Sequence, residues 1–170
     1  MNRSKTLVVG LGNPILGDDG IGWRVAEAVQ TAVPRANVEY LALGGLSLME
    51  RLIGYDRVII IDSIQTENGR IGDVTTFPLQ ALPDLSAGHT TAVHDTSLQT
   101  AIALGRQMGA QLPDDITIVG IEAARVYDFS DELTPEVETA VPQAVTAVLE
   151  LLHITPEIEC LSKPQIKIGR

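Results

Sequence analysis

Thr6-Leu-Val-Val-Gly-Leu11 is a short, continuous apolar run that ends among glycines, as a strand buried on both faces of a sheet does. Residues 22–33 follow with apolar side chains at helical spacing, and Pro34 comes directly after them. The same alternation of a short apolar run with a helical pattern continues along the chain. Such alternation is typical of a mostly parallel sheet covered by helices, so the sequence predicts an α/β fold.

The remaining predicted elements continue this alternation. Strands are predicted at residues 38–42, 57–62 and 116–120, helices at 46–53, 96–108 and 134–152, and a more exposed extra strand at 73–78. Thr134 is predicted to be the N-cap of the last helix, with Pro135 in its first turn. We therefore expect one domain over residues 1–153 and a C-terminal arm over residues 154–170, which have no clear apolar period.

Composition limits the classes of function. The chain has 170 residues, of which 45% are apolar and 20% are charged, as in a soluble globular domain. Twelve basic against 22 acidic residues give a net charge of −10, which argues against a nucleic-acid or anionic-membrane surface. No stretch approaches the ~20 apolar residues of a membrane span. Glycine and proline interrupt the first apolar run, so we expect no export signal. A single cysteine, Cys160, cannot form an internal disulfide, and we expect a cytoplasmic protein.

A glycine-rich loop, Gly10-Leu-Gly-Asn-Pro-Ile-Leu-Gly-Asp-Asp-Gly-Ile-Gly22, follows the first strand. Ile15 stands where a dinucleotide-binding loop needs glycine, and the Gly-Lys-Ser/Thr of a P-loop is absent. Asp18 and Asp19 would also repel a phosphate, so the sequence argues against nucleotide binding. Two carboxylates at the end of a sheet can instead hold a cation or polarise water. The alternative is that an aspartate caps the following helix, and this is the expected role for one of the two but not for both.

Two further polar residues are predicted to lie at the same edge of the sheet. Asp62 closes the apolar run 58–61, where a carboxylate is costly unless it is solvated, paired or bound to a metal. Its alternative role is an N-cap of the next turn. His94 precedes a predicted helix, and His89 is its rival. Asp62 and His94 would, together with Asp19, suit a divalent ion such as nickel or zinc.

Other titratable residues fit different roles. His153, near the end of the last predicted helix, would place a favourable charge on the helix dipole. Cys160 lies in the arm with no base nearby in the sequence, which argues against a catalytic role. The residue spacing alone therefore predicts a metal site, and the protein could be either a hydrolase or a metal carrier.

Several stretches resemble the hydrogenase maturation proteases, which trim the carboxyl terminus of the large subunit of nickel–iron hydrogenases. They are Leu7-Val-Val-Gly-Leu-Gly-Asn-Pro-Ile-Leu-Gly-Asp-Asp-Gly-Ile-Gly22, Val58-Ile-Ile-Ile-Asp-Ser-Ile64, His94-Asp-Thr-Ser-Leu98, Val119-Gly-Ile-Glu122 and Leu133-Thr-Pro-Glu-Val137. The resemblance covers about residues 5–153. It implies a three-layer α/β/α sandwich with a twisted, mostly parallel central sheet of the phosphorylase/hydrolase-like type.

The resemblance also implies a site and a partner. Asp19, Asp62 and His94 would be both the catalytic and the metal-contacting residues of an aspartyl protease. The metal would be a nickel ion that the substrate supplies and that is not permanently bound. The partner would be the large-subunit precursor of a nickel–iron hydrogenase, with no nucleic acid and no membrane, and we expect a monomer.

One segment of the sequence departs from the pattern of the family. Where many members carry an Asp-Gly-Gly-Thr segment, this chain has Leu41-Ala-Leu-Gly-Gly-Leu-Ser47, a difference that bears on which hydrogenase is recognised.

Two alternative functions stay open. Peptidyl-tRNA hydrolases also begin Val-Gly-Leu-Gly-Asn-Pro, but they continue with a tyrosine and a Thr-Arg-His-Asn segment, and a net charge of −10 is poor for holding tRNA. A non-enzymatic nickel carrier or hydrogenase chaperone would use the same ligands.

Overall fold

Each element predicted from the sequence is present in the computed structural model, which describes residues 5–81, 97–124 and 126–153. The strands are β1 (Thr6–Leu11), β2 (Asn37–Leu41), β3 (Arg57–Ile64), β4 (Val74–Pro78) and β5 (Asp115–Glu122); the helices are α1 (Ile21–Ala32), α2 (Gly45–Arg51), α3 (Leu98–Gln107) and α4 (Pro135–Leu151). The observed ends differ from the predicted ends by at most two residues. The predicted arm, residues 154–170, lies outside the described residues and stays a prediction.

The five strands form one sheet in the order β2-β1-β3-β5-β4. Neighbouring strands are parallel except β4, which runs antiparallel to β5 at one edge. Thr75 and Thr76 of β4 are exposed, whereas residues 58–61 of the central strand β3 are completely covered. The mostly parallel sheet and its more exposed extra strand are therefore confirmed.

Helices cover both faces of the sheet. Val8, Ile59, Ile61 and Val119 face α1 and α4, and Leu7, Val9, Val58 and Ile60 face α2 and α3. Complete burial of one such valine, leucine or isoleucine stabilises the fold by about 1.5–3 kcal/mol. This two-sided burial explains the continuous apolar runs and confirms the three-layer α/β/α sandwich.

The glycine-rich segment between β1 and α1 packs the helix against the sheet. A Cβ atom on Gly22 would lie 2.1 Å from the carbonyl oxygen of Leu11 and 2.5 Å from that of Ile61. Gly12 adopts a φ of +122°, and a Cβ atom there would lie 1.9 Å from the carbonyl oxygen of Asp19. These glycines are thus needed for the turn and for close approach of the backbone, and they do not indicate a phosphate site.

The parallel strands β1, β2, β3 and β5 all end at the same edge of the sheet. The loop before α1, the segment before α2 and the loop before α4 therefore lie next to one another. In α/β sheets this is the edge at which ligands bind. No helix in the described part of the chain is long and apolar enough to cross a membrane.

Candidate active site

Asp19 is held by hydrogen bonds to both of its carboxylate oxygens. It lies in a 3₁₀ turn, Gly17–Gly20, between β1 and α1. The backbone N–H of Asn13 donates to Oδ2 at 2.7 Å, and the hydroxyl of Ser63 donates to Oδ1 at 3.1 Å. The half-buried carboxylate therefore points from the first loop towards the end of β3.

Asp62 is brought close to Asp19 by the neighbouring strand. It lies in β3 opposite Gly120 of β5, two residues before the strand ends, so it is neither the last residue of the strand nor an N-cap. Burial and, to a smaller extent, the negative charge of Asp19 together raise the pKa of Asp62 to about 7, although a hydrogen bond from the backbone N–H of Ser63 acts in the opposite direction. Below about pH 7 this carboxyl keeps its proton, which relieves the repulsion between the two acids.

Ser63 connects the two acids and was not singled out by the sequence. Its hydroxyl binds Asp19, and its backbone N–H binds Asp62. A serine after a buried strand is common, so no pattern in the sequence marks it. Only the parallel pairing of β1 with β3 shows that this residue reaches the first loop.

Asp18 has a different role from the one expected. Neither aspartate caps α1, because the N-cap of that helix is Gly20 and no side chain caps it. Asp18 is completely buried and accepts hydrogen bonds from the backbone N–H of Thr134 at 2.7 Å and from its hydroxyl at 3.0 Å. Thr134 is the N-cap of α4 and Pro135 is in the first turn, as predicted. The threonine hydroxyl binds Asp18 instead of its own helix, so Asp18 joins the first loop to the start of α4.

A second buried acid closes the loop after β3. Glu122, at the end of β5, has 6% of its surface exposed. The backbone N–H of Thr66 donates to Glu122 Oε1 at 2.7 Å, and the hydroxyl of Thr66 donates to Oε2 at 2.9 Å. These hydrogen bonds give Glu122 a structural role beside the end of the strand that carries Asp62.

The two candidate histidines, His89 and His94, lie outside the described residues, so the choice between them stays a prediction. The described chain resumes at Ser97, the N-cap of α3, whose hydroxyl accepts a hydrogen bond from the backbone N–H of Thr100. His153 directly follows the last turn of α4 with a φ of +57°, and its predicted effect on the helix dipole is untested. Cys160 also lies outside the described residues.

The described residues contain no group of three or more histidine, cysteine, aspartate or glutamate side chains that could hold a metal ion. Asp19 and Asp62 place two carboxylates at one edge of the sheet. A metal centre built on them would need further ligands, either from residues outside the described ranges or from a bound partner.

The segment that departs from the family flanks the loop of Asp19. The carbonyl oxygen of Leu41 accepts a hydrogen bond from the backbone N–H of Gly12 at 3.0 Å and one from the indole N–H of Trp23 at 3.3 Å. Leu43 and Leu46 are exposed beside it. This segment therefore lies at the edge of the sheet that carries the acids, while its role in choosing a partner stays a prediction.

The model of the hydrogenase maturation protease family matches residues 23–151, which is more than half of the chain. The chain belongs to the hydrogenase maturation protease family. The match includes Asp62 and begins just after Asp19. Membership makes this protein a peptidase, and therefore a hydrolase. It decides against the two alternatives, a peptidyl-tRNA hydrolase and a non-enzymatic carrier.

Individual members of the hydrogenase maturation protease family are similar over most of the chain. The hydrogenase 2 maturation protease of Escherichia coli strain K12 is 29% identical over 152 residues, which cover 88% of this chain and 91% of that protein. The hydrogenase expression/formation protein HupD of Thiocapsa roseopersicina is 27% identical over 151 residues, 87% of this chain and 67% of that protein. The structure of the hydrogenase maturating endopeptidase HybD from Escherichia coli superposes with a TM-score of 0.68 at 27% identity, covering 88% of this chain and 92% of that one.

Proposed function

We propose that this protease removes the C-terminal extension of a nickel–iron hydrogenase large-subunit precursor after nickel has been inserted. Nickel in the precursor serves as the recognition element, and Asp19, Asp62 and His94 bind it. One observation supports the proposal above all others. Asp19 and Asp62 come from separate segments of the chain and lie close together at the edge of the sheet where ligands bind. The names of the similar proteins, which concern hydrogenase maturation, support the choice of substrate.

The chemistry of the two acids favours a nickel ion that arrives with the substrate. Carboxylates must lose their protons to bind a metal, and burial and the charge of Asp19 keep Asp62 protonated up to about pH 7. The free protein therefore offers a weak site. The imidazole of His94 would add a ligand type that suits nickel, and the ligands of the precursor would complete the coordination shell. A precursor without nickel would lack this bridge to the protease.

The acids also provide a path for the proton in peptide hydrolysis. Water adds to the carbonyl carbon of the scissile bond, a carboxylate takes its proton, and the carbon–nitrogen bond breaks as the leaving nitrogen becomes protonated. Nickel at the carbonyl oxygen or at the water would stabilise the developing charge. Asp62 lies close to Asp19 at this edge of the sheet, so either carboxylate is placed to take the proton. Asp19 is oriented by Asn13 and Ser63.

Substitution of the three residues tests the proposed site. Asp19→Asn, Asp62→Asn and His94→Ala should each lower cleavage of nickel-loaded precursor by at least about 100-fold, because each removes a nickel contact or a proton acceptor. Circular dichroism should show that the variants remain folded. His89→Ala is the matched control and should cleave as the parent protein does. Normal cleavage by any two of the three variants would disprove the site, and loss of cleavage by the His89 variant alone would move the histidine assignment.

A further inference from the structure

A groove of about 430 Å³ lies beside the loop of Asp19. Its walls come from the first turns of α1, from the end of β2 and from the loop before α4. Its lining includes the side chains of Trp23, Arg24, Glu27, Tyr40 and Asp131. A groove of this volume is large enough to take a long side chain.

Two aromatic rings form a fixed wall of this groove. The ring centroids of Trp23 and Tyr40 are 5.6 Å apart, and their planes are inclined by 57°. The indole N–H of Trp23 donates to the carbonyl oxygen of Leu41 at 3.3 Å, which fixes the orientation of the ring. The faces of such rings attract cations.

The charges of the groove also favour a cation. Arg24 donates from Nη2 to the carbonyl oxygen of Asp131 at 3.4 Å, so its guanidinium is held at the Asp131 side. The pKa of Tyr40 is raised, mainly because the side chain is partly buried and also because the negative charge of Glu27 is nearby. Within the described ranges, no ion pair joins Glu27 to a basic side chain. Glu27 thus leaves a carboxylate beside two rings, where an anion would be repelled and a cation attracted.

The groove and the acid pair involve different residues of one turn. Gly17 and Gly20 of the 3₁₀ turn line the groove, whereas Asp19, between them, binds Ser63 of β3. Asp62 and Ser63 do not line the groove. A residue bound in the groove is therefore not the residue whose peptide bond meets the acids, although one extended chain can reach both places.

We propose that this groove binds a basic side chain, arginine or lysine, of the polypeptide substrate at a position away from the scissile bond. The inference rests on the proposed function, because it assigns a second contact to the same substrate. The aliphatic stem of the side chain packs against Trp23 and Tyr40, and its charge lies next to Glu27. A neutral apolar side chain would gain only the first of these contacts.

Fluorescence of Trp23, the single tryptophan of the sequence, reports directly on the groove. The full chain is titrated with an alanine-based pentapeptide that has arginine at its centre, and with the same peptide carrying citrulline, a neutral isostere. We expect a saturable fluorescence change with the arginine peptide and at least about fivefold weaker binding of the citrulline peptide. Glu27→Gln should weaken binding of the arginine peptide by a similar factor. The matched control is Glu150→Gln, an exposed acid at the far end of α4, which should bind as the parent does.

The outcomes separate this inference from the proposed function. Equal responses to the two peptides, no saturable response, or unchanged binding by Glu27→Gln would overturn the groove assignment, whatever the cleavage assay shows. Asp19→Asn should bind the arginine peptide normally while it fails to cleave precursor. Glu27→Gln should raise the KM for precursor about fivefold with kcat unchanged. A fall in kcat with unchanged KM would contradict a binding role.

Discussion

Ionisation of Asp62 is costly in the folded protein, because burial and the charge of Asp19 both disfavour its carboxylate. Its pKa of about 7 lies above the ordinary aspartate value of about 3.9 in the unfolded chain. A raised pKa means that the folded state binds the proton more tightly. The stabilisation is therefore fully present below about pH 4 and is lost as the pH rises to about 7.

Asp62→Asn should remove this loss, since asparagine is neutral at every pH. We expect the free energy of unfolding of the variant to be close to that of the parent at pH 4 and about 1–4 kcal/mol higher at pH 8. Urea denaturation at both pH values measures the difference. Glu67→Gln, an exposed acid in the loop after β3, is the control and should show no such dependence. A difference between Asp62→Asn and the parent that is the same at both pH values would contradict the assignment.

The sequence identified Asp19 and Asp62 because each follows or ends a recognisable apolar run. Their partners could not be predicted in the same way. Ser63 reaches Asp19 only because β1 and β3 are neighbours, and Asp18 binds Thr134 on the opposite end of the chain. The expected cap on α1 was wrong for this reason, since a local pattern contains no information on a contact 116 residues away.

At the scale of the elements, the start of α4 depends on Asp18. Asp18→Ala would leave the backbone N–H and the hydroxyl of Thr134 without these acceptors, and we expect a loss of about 1–3 kcal/mol in the free energy of unfolding. Asp18→Asn keeps one carbonyl acceptor and should lose less. Chemical denaturation measures both. Glu138→Ala, at an exposed position of α4, is the control and should change stability by no more than about 0.5 kcal/mol. Equal stability of the Asp18 and Glu138 alanine variants would contradict this role.

The elements themselves were predictable because both faces of the sheet are covered, which gives parallel strands continuous apolar sequences. Their ends were less predictable. β3 extends beyond Asp62 because β5 continues to pair with it as far as Ile64 and Glu122. Hydrogen-bond register sets such ends, and the polarity of a single residue does not. The strand order is likewise a property of pairing that the alternation pattern leaves open.

At the scale of the whole molecule, residues 41–47 and the C-terminal arm are the two candidates for choosing the partner. Exchange of residues 41–47 for an Asp-Gly-Gly-Thr type loop should change which precursor is cut, because this segment contacts the loop of Asp19 through Leu41. Truncation after Ile154 should be tolerated, because the arm lacks an apolar period. Cleavage of a panel of large-subunit precursors measures both effects. If the exchange leaves the preference unchanged while truncation abolishes cleavage, recognition lies in the arm.

If the acids at the sheet edge act on nickel carried by the substrate, cleavage depends on the nickel content of the precursor. The purified protease is incubated with nickel-loaded and with nickel-free large-subunit precursor, and loss of the C-terminal extension is followed on a gel. We expect cleavage of the loaded precursor only, with activity that survives prior treatment of the protease with a chelator, because the free site binds metal weakly. Cleavage of the nickel-free precursor at the same rate would show that the protease does not act on nickel carried by the substrate. A stoichiometric metal held by the isolated protease and required for its activity would show that the protease carries its own ion.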